Sequence, residues 1–424
     1  MHTIKDMLGR SGAIPLAQAL EVLKQQLQSI PCVDEEKVLL ESSLHRTTSR
    51  EIRSTEDLPP HPRSTMDGYA VHASDTFGAT ESLPAYLKIS GEVLMGATPK
   101  QGPSSETCYK IATGGFMPPG ADAVVMLEHT VRVDDKMIEV TRPVSIGSNV
   151  IAAGDDVRKG APLLPAGHLL RPQDLGLLAG IGVEGLFVRK QVRVAVISTG
   201  DEIVSHTIQP PPGKIRDMNG INIAALVRET GGRPVSYGII KDDEKTFSET
   251  IQKAMKSCDI VLFSGGSSVG ARDMGEQVLD RLGKPGIIVH GVAVKPGKPV
   301  IIAFSGETAL FGLPGHPVSA AVSFDLFVRP AIHHYQGRTP SHLPSLPTVT
   351  ARLARNLNSA AGRTDFVRVQ VKKDGARFTA HPVLGKSGAL STMVKADGYI
   401  IIEESLQGFH EGEEVTVRLY STAN

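Results

Sequence analysis

The feature that most constrains the fold is a regular alternation of apolar, strand-like runs with helix-like runs between residues 191 and 335. The predicted strands are VRVAVI, VSYGII, DIVLF, PVIIAF and TALFGL, and amphipathic stretches lie between and after them. Strands that alternate with helices indicate a doubly wound, mostly parallel sheet. Ligands of such sheets bind beyond the carboxyl ends of the strands, so the loops at that edge are the expected location of a site.

The remaining sequence predicts three further domains, because 424 residues are too many for one hydrophobic core. Residues 46–150 consist of short β-like runs separated by Gly and Pro, which predicts a small inserted β domain. Residues 1–45 and 151–190 would together form a helical, two-segment N-terminal domain. Residues 191–335 would form the α/β domain, and residues 336–424 a C-terminal β domain, either a small barrel or a sandwich. The predicted fold class is therefore a multidomain α/β plus β protein.

Two helical predictions are specific enough to test. Near the N-terminus, apolar residues at helical spacing form one stripe that runs from Leu16 to Ile30. Such a stripe packs either against the protein's own core or against a second subunit, and the sequence leaves both open. In the alternating region, Asn219 is predicted to be the N-cap of the first helix.

Composition limits the classes of partner. The 45 Lys plus Arg residues balance the 45 Asp plus Glu residues, so no net charge favours nucleic acid or a membrane surface. The three cysteines lie far apart in the sequence and are predicted to be reduced thiols. The first residues lack the apolar core of a signal peptide, and no run approaches the roughly 20 apolar residues of a membrane span. The predicted location is the cytoplasm.

A loop rich in glycine and serine follows the predicted strand DIVLF. Gly265, Gly266, Ser268 and Gly270 can offer backbone N–H groups to a phosphate. The spacing fits neither the P-loop nor the dinucleotide fingerprint. The loop ends at Asp273, which would either cap the following helix or hold a divalent cation that bridges to the phosphate.

Other loops at the same edge of the predicted sheet carry carboxylates. Asp201 and Glu202 follow the first strand, Asp217 precedes the first helix, and Asp242 follows the second strand. Hard divalent cations prefer oxygen ligands of this kind. A solvated, charged rim is the alternative interpretation.

Basic and hydroxyl side chains occur in the later loops. Lys295 and Lys298 lie three residues apart in VKPGKP, and LPGHPVS places Ser319 at the beginning of a helix. A helix N-terminus and lysine side chains both favour anions. Carboxylates for a metal together with these groups for oxyanions are the arrangement that phosphoryl chemistry uses. In the inserted domain, Asp67 precedes Gly68 in MDGYA, which turn formation alone would explain, and Thr113 is a weak signal by itself.

Several long motifs occur in a characteristic order: RSTMDGYAV, ATGGFMPPGADAVVMLE, ISTGDEI, SGGSSVGARD, KPGKP and GLPGHPVSAAVSF. In this order they resemble the molybdopterin molybdenumtransferase family, which includes MoeA and the E domain of gephyrin. The similarity continues with GRTDFVRV and GKSGALSTMVKADGYIII near the C-terminus. The resemblance implies four domains and a homodimer whose active site lies in a cleft between subunits.

The resemblance also implies a reaction. Molybdate is inserted into the dithiolene of adenylylated molybdopterin, the phosphoanhydride is hydrolysed, and AMP is released, with Mg²⁺ or a similar divalent cation as the cofactor. The substrate would come by handover from the molybdopterin adenylyltransferase. Three alternatives stay open: an adenylyltransferase-like enzyme, a non-catalytic scaffold of the same fold, and tungstate in place of molybdate.

The resemblance assigns individual residues to the site. The positions that match catalytic residues are Asp67, Asp242, Asp273, Lys295 and Lys298. The positions that match substrate-binding residues are Thr113, Glu202, Pro299, Ser319, Arg363 and Ser387. The metal would be held by Asp242, Asp273 and Glu202. The chain departs from the family's pattern in having His316 where Asn is frequent, and Ala152 and Ala153 where some members have arginines.

Overall fold

The computed structural model describes residues 12–265, 276–338, 346–375 and 377–420. Helix α1 (Leu16–Gln28) begins after Pro15 and buries Ala19, Leu23 and Leu27. These side chains belong to the same hydrophobic core as the strands of the α/β unit. The N-terminal apolar stripe therefore packs against the protein's own core.

The chain then passes through two short strands, β1 (Glu35–Leu39) and β2 (Ile52–Arg53), into an inserted β unit. The strands of this unit are β3 (Arg63–Ser64), β4 (Gly68–Val71), β5 (Ala85–Val93), β6 (Thr107–Ile111), β7 (Ala123–Met126), β8 (Thr130–Arg132), β9 (Met137–Val140) and β10 (Val150–Ile151). Six of them form one sheet in the order β7-β4-β6-β5-β9-β8, and β3 pairs antiparallel with β10 where the chain enters and leaves the unit. The unit has its own core, which includes Val71, Leu87 and Ile138.

The chain returns through β11 (Pro162–Leu164), helix α2 (Pro172–Gly180) and β12 (Gly185–Arg189). Strand β12 pairs antiparallel with β1, and β11 pairs with β2, so two separate chain segments form one small unit. Its core includes Leu40 from the first segment and Leu178 from the second. The exact domain boundaries stay predictions.

A buried carboxylate organises the beginning of α2. Asp174 Oδ2 accepts hydrogen bonds from the Arg171 backbone N–H at 2.8 Å and lies 2.7 Å from His168 Nε2. The Arg171 guanidinium donates to both carboxylate oxygens, at 3.0 and 2.9 Å. Burial alone would raise the pKa of Asp174, but the hydrogen bonds from Arg171 and His168 lower it to about 2.

Replacing Asp174 by Asn is expected to destabilise the fold by about 2 kcal/mol at neutral pH, since each pKa unit corresponds to about 1.4 kcal/mol. The pKa is lowered in the folded state, so this stabilisation is present above the ordinary carboxylate pKa and disappears as the pH falls towards 2. The measurement is urea unfolding of Asp174→Asn and of the unsubstituted protein between neutral pH and about pH 2, which gives the difference in unfolding free energy at each pH. Asp135→Asn is the control, because Asp135 is an exposed turn residue paired with Arg132 and should have no measurable effect. Equal urea midpoints for Asp174→Asn and the unsubstituted protein at pH 7 would contradict the prediction.

The α/β unit follows. Its strands are β13 (Arg193–Thr199), β14 (Ile203–Val204), β15 (Ile215–Arg216), β16 (Arg233–Ile240), β17 (Ile260–Gly265), β18 (Pro285–His290), β19 (Val294–Lys295), β20 (Ile301–Ser305) and β21 (Thr308–Leu313). Its helices are α3 (Asn219–Glu229), α4 (Glu244–Met255), α5 (Pro317–Ser323) and α6 (Arg329–Tyr335), with a π-helical turn at Phe324–Val328 between the last two. Residues 276–281 are also helical.

The main sheet has the strand order β16-β13-β17-β21-β20-β18. The first four strands are parallel, and β20 and β18 continue the sheet antiparallel. The prediction of a doubly wound, mostly parallel sheet is confirmed. The edge strand β18 was not among the predicted strands.

The last unit is a barrel. Its elements are β22 (Thr348–Leu353), β23 (Leu357–Asn358), β24 (Thr364–Asp374), β25 (Arg377–Pro382), α7 (Ser391–Val394), β26 (Gly398–Ile402), β27 (Gly408–Phe409) and β28 (Glu414–Leu419). The strands β24-β25-β22-β28-β26 close because β26 also pairs with β24. Of the two predicted β architectures, the closed barrel is therefore the one that forms. Within the described residues, no helix is long and apolar enough to cross a membrane.

Candidate functional site

A cavity of about 850 Å³ lies between the α/β unit and the barrel. Its walls are the turn after β19, the beginning of α5 and two loops of the barrel. Six residues that the sequence assigned to the site line it: Lys295, Lys298, Pro299, Ser319, Arg363 and Ser387. The structure thus brings together residues that are up to 92 positions apart in the sequence.

One strand pairing joins the two walls of the cavity. Strand β19 adds in parallel to the barrel strand β24, so that Lys295 lies beside Asp365 in register. The turn that follows contains Gly297 with φ of +122°, where a Cβ would come within 3.0 Å of the Ser323 hydroxyl. A glycine is therefore required for the turn to lie against α5, which places Lys298 at the cavity.

A single buried carboxylate orients two cations. The side chain of Asp365 is 4% exposed and accepts hydrogen bonds from Arg363 Nε at 2.8 Å and Arg363 Nη2 at 3.4 Å. Lys295 Nζ lies 3.7 Å from Asp365 Oδ2, the oxygen that also accepts from Arg363 Nη2. Guanidinium and ammonium groups have five and three N–H donors, so donors remain for a ligand in the cavity.

The opposite wall is the beginning of α5. Ser319 is buried in its first turn, and the Val318 N–H donates to the Ser387 carbonyl of the barrel at 3.1 Å. The Ser387 hydroxyl lies 2.8 Å from His316 Nδ1. Two serine hydroxyls thus complement the cations across the cavity.

Asn219 supports this wall rather than capping its own helix. It lies inside α3, and its side chain donates to the Ser264 hydroxyl at 2.6 Å and to the Gly315 carbonyl at 2.9 Å. The N-cap prediction was therefore wrong. The Asn219 side chain instead makes a tertiary contact with Gly315, in the turn before α5.

Four ionisable lining residues were missing from the residues assigned by sequence: His316, Asp365, Arg368 and Lys386. Arg368 is 7% exposed, donates to the Gly385 carbonyl at 3.1 Å, and keeps a buried Nε without a hydrogen-bond partner in the described part of the chain. Burial lowers the pKa of its guanidinium. Strand β24 also contains Asp365, Gln370 and Lys372, so no local sequence signal distinguished Arg368.

The charge of the cavity is strongly positive. Among the described residues, the lining cations are Lys295, Lys298, Arg363, Arg368 and Lys386. One lining carboxylate, that of Asp365, opposes them. Clustered positive charge that is only partly paired favours an anionic ligand.

A separate cluster of carboxylates lies at the carboxyl edge of the sheet. Asp242 follows β16, and one of its carboxylate oxygens is buried without a hydrogen-bond partner. Its pKa is raised, first by burial and then by the negative charges of Glu202 and Asp201. Glu202 lies over Gly200, where a Cβ would come within 2.7 Å of the carboxylate.

This acidic cluster fits a divalent cation in part. An unpartnered buried oxygen beside like charges is what a hard cation would stabilise. Among the described residues, however, no three His, Cys, Asp or Glu side chains form a metal-binding group. Asp217, also predicted at this edge, is occupied, because it accepts hydrogen bonds from the Ser198 hydroxyl and the Gly220 N–H at 2.7 and 2.8 Å.

Part of the predicted site lies outside the described residues, namely Gly266, Ser268, Gly270 and Asp273. Gly265, the last residue of β17, is described. With φ of +142°, its position leaves no room for a Cβ, which would lie 1.9 Å from the Thr199 carbonyl oxygen. The glycine is therefore needed for the close approach of two neighbouring strand ends.

Asp67 and Thr113 form a pair in the inserted β unit. Asp67 Oδ1 accepts hydrogen bonds from the Thr113 backbone N–H at 2.7 Å and from its hydroxyl at 2.9 Å. The backbone bond, followed by the hydroxyl bond, lowers the pKa of Asp67. The pair is exposed and does not line the cavity, and the neighbouring Met66 and Leu127 are exposed apolar residues.

Three family profiles match the chain in succession. They are described as "MoeA N-terminal region (domain I and II)" over residues 14–182, "Probable molybdopterin binding domain" over residues 195–334, and "MoeA C-terminal region (domain IV)" over residues 350–420.

Relatives match over nearly the full length. The molybdopterin molybdenumtransferase of Bacillus subtilis is 32% identical over 425 residues, which cover 99% of this chain and 96% of that protein. The enzyme of the same name from Staphylococcus aureus is 31% identical and covers 96% and 95%. The crystal structure of a molybdopterin biosynthesis MoeA protein from Pyrococcus horikoshii superposes with a TM-score of 0.82 at 33% identity, covering 96% of this chain and 100% of the other. This chain belongs to the MoeA family.

Proposed function

We propose that this protein is a molybdopterin molybdenumtransferase of molybdenum cofactor biosynthesis. It would insert molybdate into the dithiolene of adenylylated molybdopterin, with hydrolysis of the phosphoanhydride and release of AMP. The observation that supports this most is the cationic cavity at the junction of the α/β unit and the barrel. Family membership and the names of the relatives agree with it.

The cavity suits molybdate, which is a tetrahedral dianion. Arg363, fixed by Asp365, offers a planar set of donors at defined angles. Lys295 and Lys298 add ammonium charge, and the hydroxyls of Ser319 and Ser387 add neutral donors. Pro299 restricts the backbone next to Lys298, while Arg368 would contribute charge from a buried position.

The acidic cluster suits the phosphoanhydride end of the substrate. Asp242 and Glu202, together with Asp273, would hold Mg²⁺ or a similar divalent cation. When bound, such a cation neutralises phosphate charge. Backbone N–H groups at Gly265 and in the loop that follows would bind phosphate oxygens on the AMP side. Cleavage of the anhydride would supply the driving force for metal insertion.

We propose further that the active unit is a homodimer. Asp67 and Thr113 do not line the cavity of their own chain, and their surroundings include exposed apolar side chains. Both residues would complete the site of the partner subunit. The adenylylated substrate would arrive from a molybdopterin adenylyltransferase.

Lys298→Gln is expected to raise the molybdate concentration at half-maximal rate about tenfold, since a hydrogen bond to a charged group contributes roughly 1.5–3 kcal/mol. The measurement is initial rate against molybdate concentration at saturating pterin substrate. Lys284→Gln is the matched control, because Lys284 is also exposed and also precedes a proline but does not line the cavity. An unchanged molybdate requirement in Lys298→Gln would argue against the oxyanion role of this turn.

The function itself is tested by supplying adenylylated molybdopterin, Mg²⁺ and molybdate, and measuring AMP and active cofactor together. Equal amounts of both products are expected. Adenylylation of molybdopterin from ATP would support the adenylyltransferase alternative instead. No release of AMP under any condition would support the scaffold, and a parallel assay with tungstate identifies the preferred oxyanion.

A further inference from the structure

We propose that His316 is a positioning residue that makes oxyanion binding depend on pH, acting through the hydroxyl of Ser387. This inference rests on the proposed function, because it concerns the same cavity. Both residues line that cavity, and His316 Nδ1 lies 2.8 Å from Ser387 Oγ. His316 directly precedes α5, whereas Ser387 belongs to the barrel, so the contact joins the two walls.

The direction of this hydrogen bond decides what Ser387 can offer a ligand. A serine hydroxyl has one proton to donate. When His316 is neutral with an unprotonated Nδ1, Ser387 donates that proton to the imidazole and turns lone pairs towards other neighbours. When His316 is protonated, Nδ1–H must donate to Ser387 Oγ, and the serine proton becomes available to an oxyanion. Protonation of His316 therefore converts Ser387 from a poor into a good oxyanion donor.

The other charged groups around the cavity are lysines, arginines and one aspartate. In the described structure they are Lys295 and Lys298 of the turn after β19, Arg363, Asp365 and Arg368 of the barrel, and Lys386 beside Ser387. Lysine and arginine stay charged between about pH 5.5 and 8, whereas histidine is the residue type that ordinarily titrates there. The oxyanion binds better to the form in which His316 is protonated and Ser387 is free to donate its proton. Oxyanion binding is therefore accompanied by proton uptake.

Calorimetric titration with molybdate alone tests this. Titrations are made at several values between about pH 5.5 and 8, each in two buffers of different ionisation enthalpy, so that proton uptake is measured directly. We expect the affinity of the unsubstituted protein to rise about tenfold from the highest to the lowest pH, with uptake of a fraction of one proton. In His316→Asn the amide donates to Ser387 at every pH, so the pH dependence and the proton uptake should be lost.

Two further variants make the result decisive. His410→Asn is the matched control, because His410 is exposed and does not line the cavity, and it should behave like the unsubstituted protein. Ser387→Ala keeps the imidazole but removes the hydroxyl, so it should lose the pH dependence as well, and it tests the inference independently if His316→Asn does not fold.

The outcomes separate this inference from the proposed function. The same pH dependence in the unsubstituted protein and in His316→Asn would overturn the role of His316 and leave the oxyanion site intact. A pH dependence that survives in Ser387→Ala would overturn the role of the hydroxyl. If the unsubstituted protein bound no molybdate at any pH, both the inference and the oxyanion site would be wrong.

Discussion

Replacing Asp242 by Asn is expected to lower the rate of AMP release at least about a hundredfold, equivalent to roughly 2.7 kcal/mol of transition-state stabilisation. The same variant should be as thermally stable as the unsubstituted protein, or more so. The physical reason is that the raised pKa of Asp242 marks an ionised carboxylate that the fold disfavours, because it is partly buried beside Glu202 and Asp201. Without a bound cation, removing this charge relieves the repulsion from Glu202 and Asp201. With a bound cation, the substitution removes one of the cation's ligands.

The sign of the stability effect follows from the direction of the shift. A carboxylate whose pKa is higher in the folded than in the unfolded state reduces stability above its ordinary pKa, where the unfolded chain ionises it freely. A neutral amide avoids that cost at neutral pH. Added Mg²⁺ should raise the melting temperature of the unsubstituted protein and have less effect on Asp242→Asn.

Asp243→Asn is the matched control for this experiment. The neighbouring Asp243 accepts hydrogen bonds from the Thr246 backbone N–H and hydroxyl, at 2.7 and 2.6 Å, at the beginning of α4. Its side chain is thereby occupied as a helix cap, so its replacement should affect stability slightly and leave AMP release unchanged. Full AMP release by Asp242→Asn, or an equal loss in both variants, would show that Asp242 is not a metal ligand.

The sequence predicts those parts of this fold that depend on local patterns. Continuous apolar strands that alternate with amphipathic helices indicate the parallel sheet, and the loops at its carboxyl edge do carry Glu202 and Asp242. The stripe from Leu16 to Ile30 predicts a helix, but its packing partner depends on tertiary structure that periodicity does not encode. The edge strand Pro285–His290 escaped prediction because its short run begins with proline and glycine, which usually mark turns.

Contacts between units could not be predicted in the same way. The pairing of Lys295 with Asp365 joins a two-residue strand of the α/β unit to a barrel strand 70 residues later, and nothing in either local sequence indicates it. Asparagine is a residue type that commonly caps helices. The side chain of Asn219 nevertheless donates a hydrogen bond to the Gly315 carbonyl instead. Arg368 becomes a candidate anion-binding residue only because the structure shows that it is buried at the cavity. Motif order identified six of the residues that line the cavity, whereas their mutual orientation required the structure.

A mixed dimer provides the sharpest test of how the site is assembled. One subunit carries Asp67→Asn and the other Asp242→Asn, and two different affinity tags allow the mixed species to be purified. Each variant alone is expected to have less than about 1% of the normal rate of AMP release. Asp67→Asn retains an oxygen that can accept from Thr113 and loses only the charge, so the local turn should persist.

If Asp67 completes the partner's site, one site of the mixed dimer contains both substitutions and the other contains neither. By two-fold symmetry, the mixed dimer should then recover about half of the normal activity. If both residues act within one chain, each site retains one substitution and the mixed dimer stays inactive. A mixed dimer made from Asp242→Asn and an unsubstituted subunit serves as the reference for half activity. Because the inserted β unit carries Asp67 on an exposed surface away from its own chain's cavity, we expect recovery. A chain that remains monomeric at assay concentration would exclude a shared site directly.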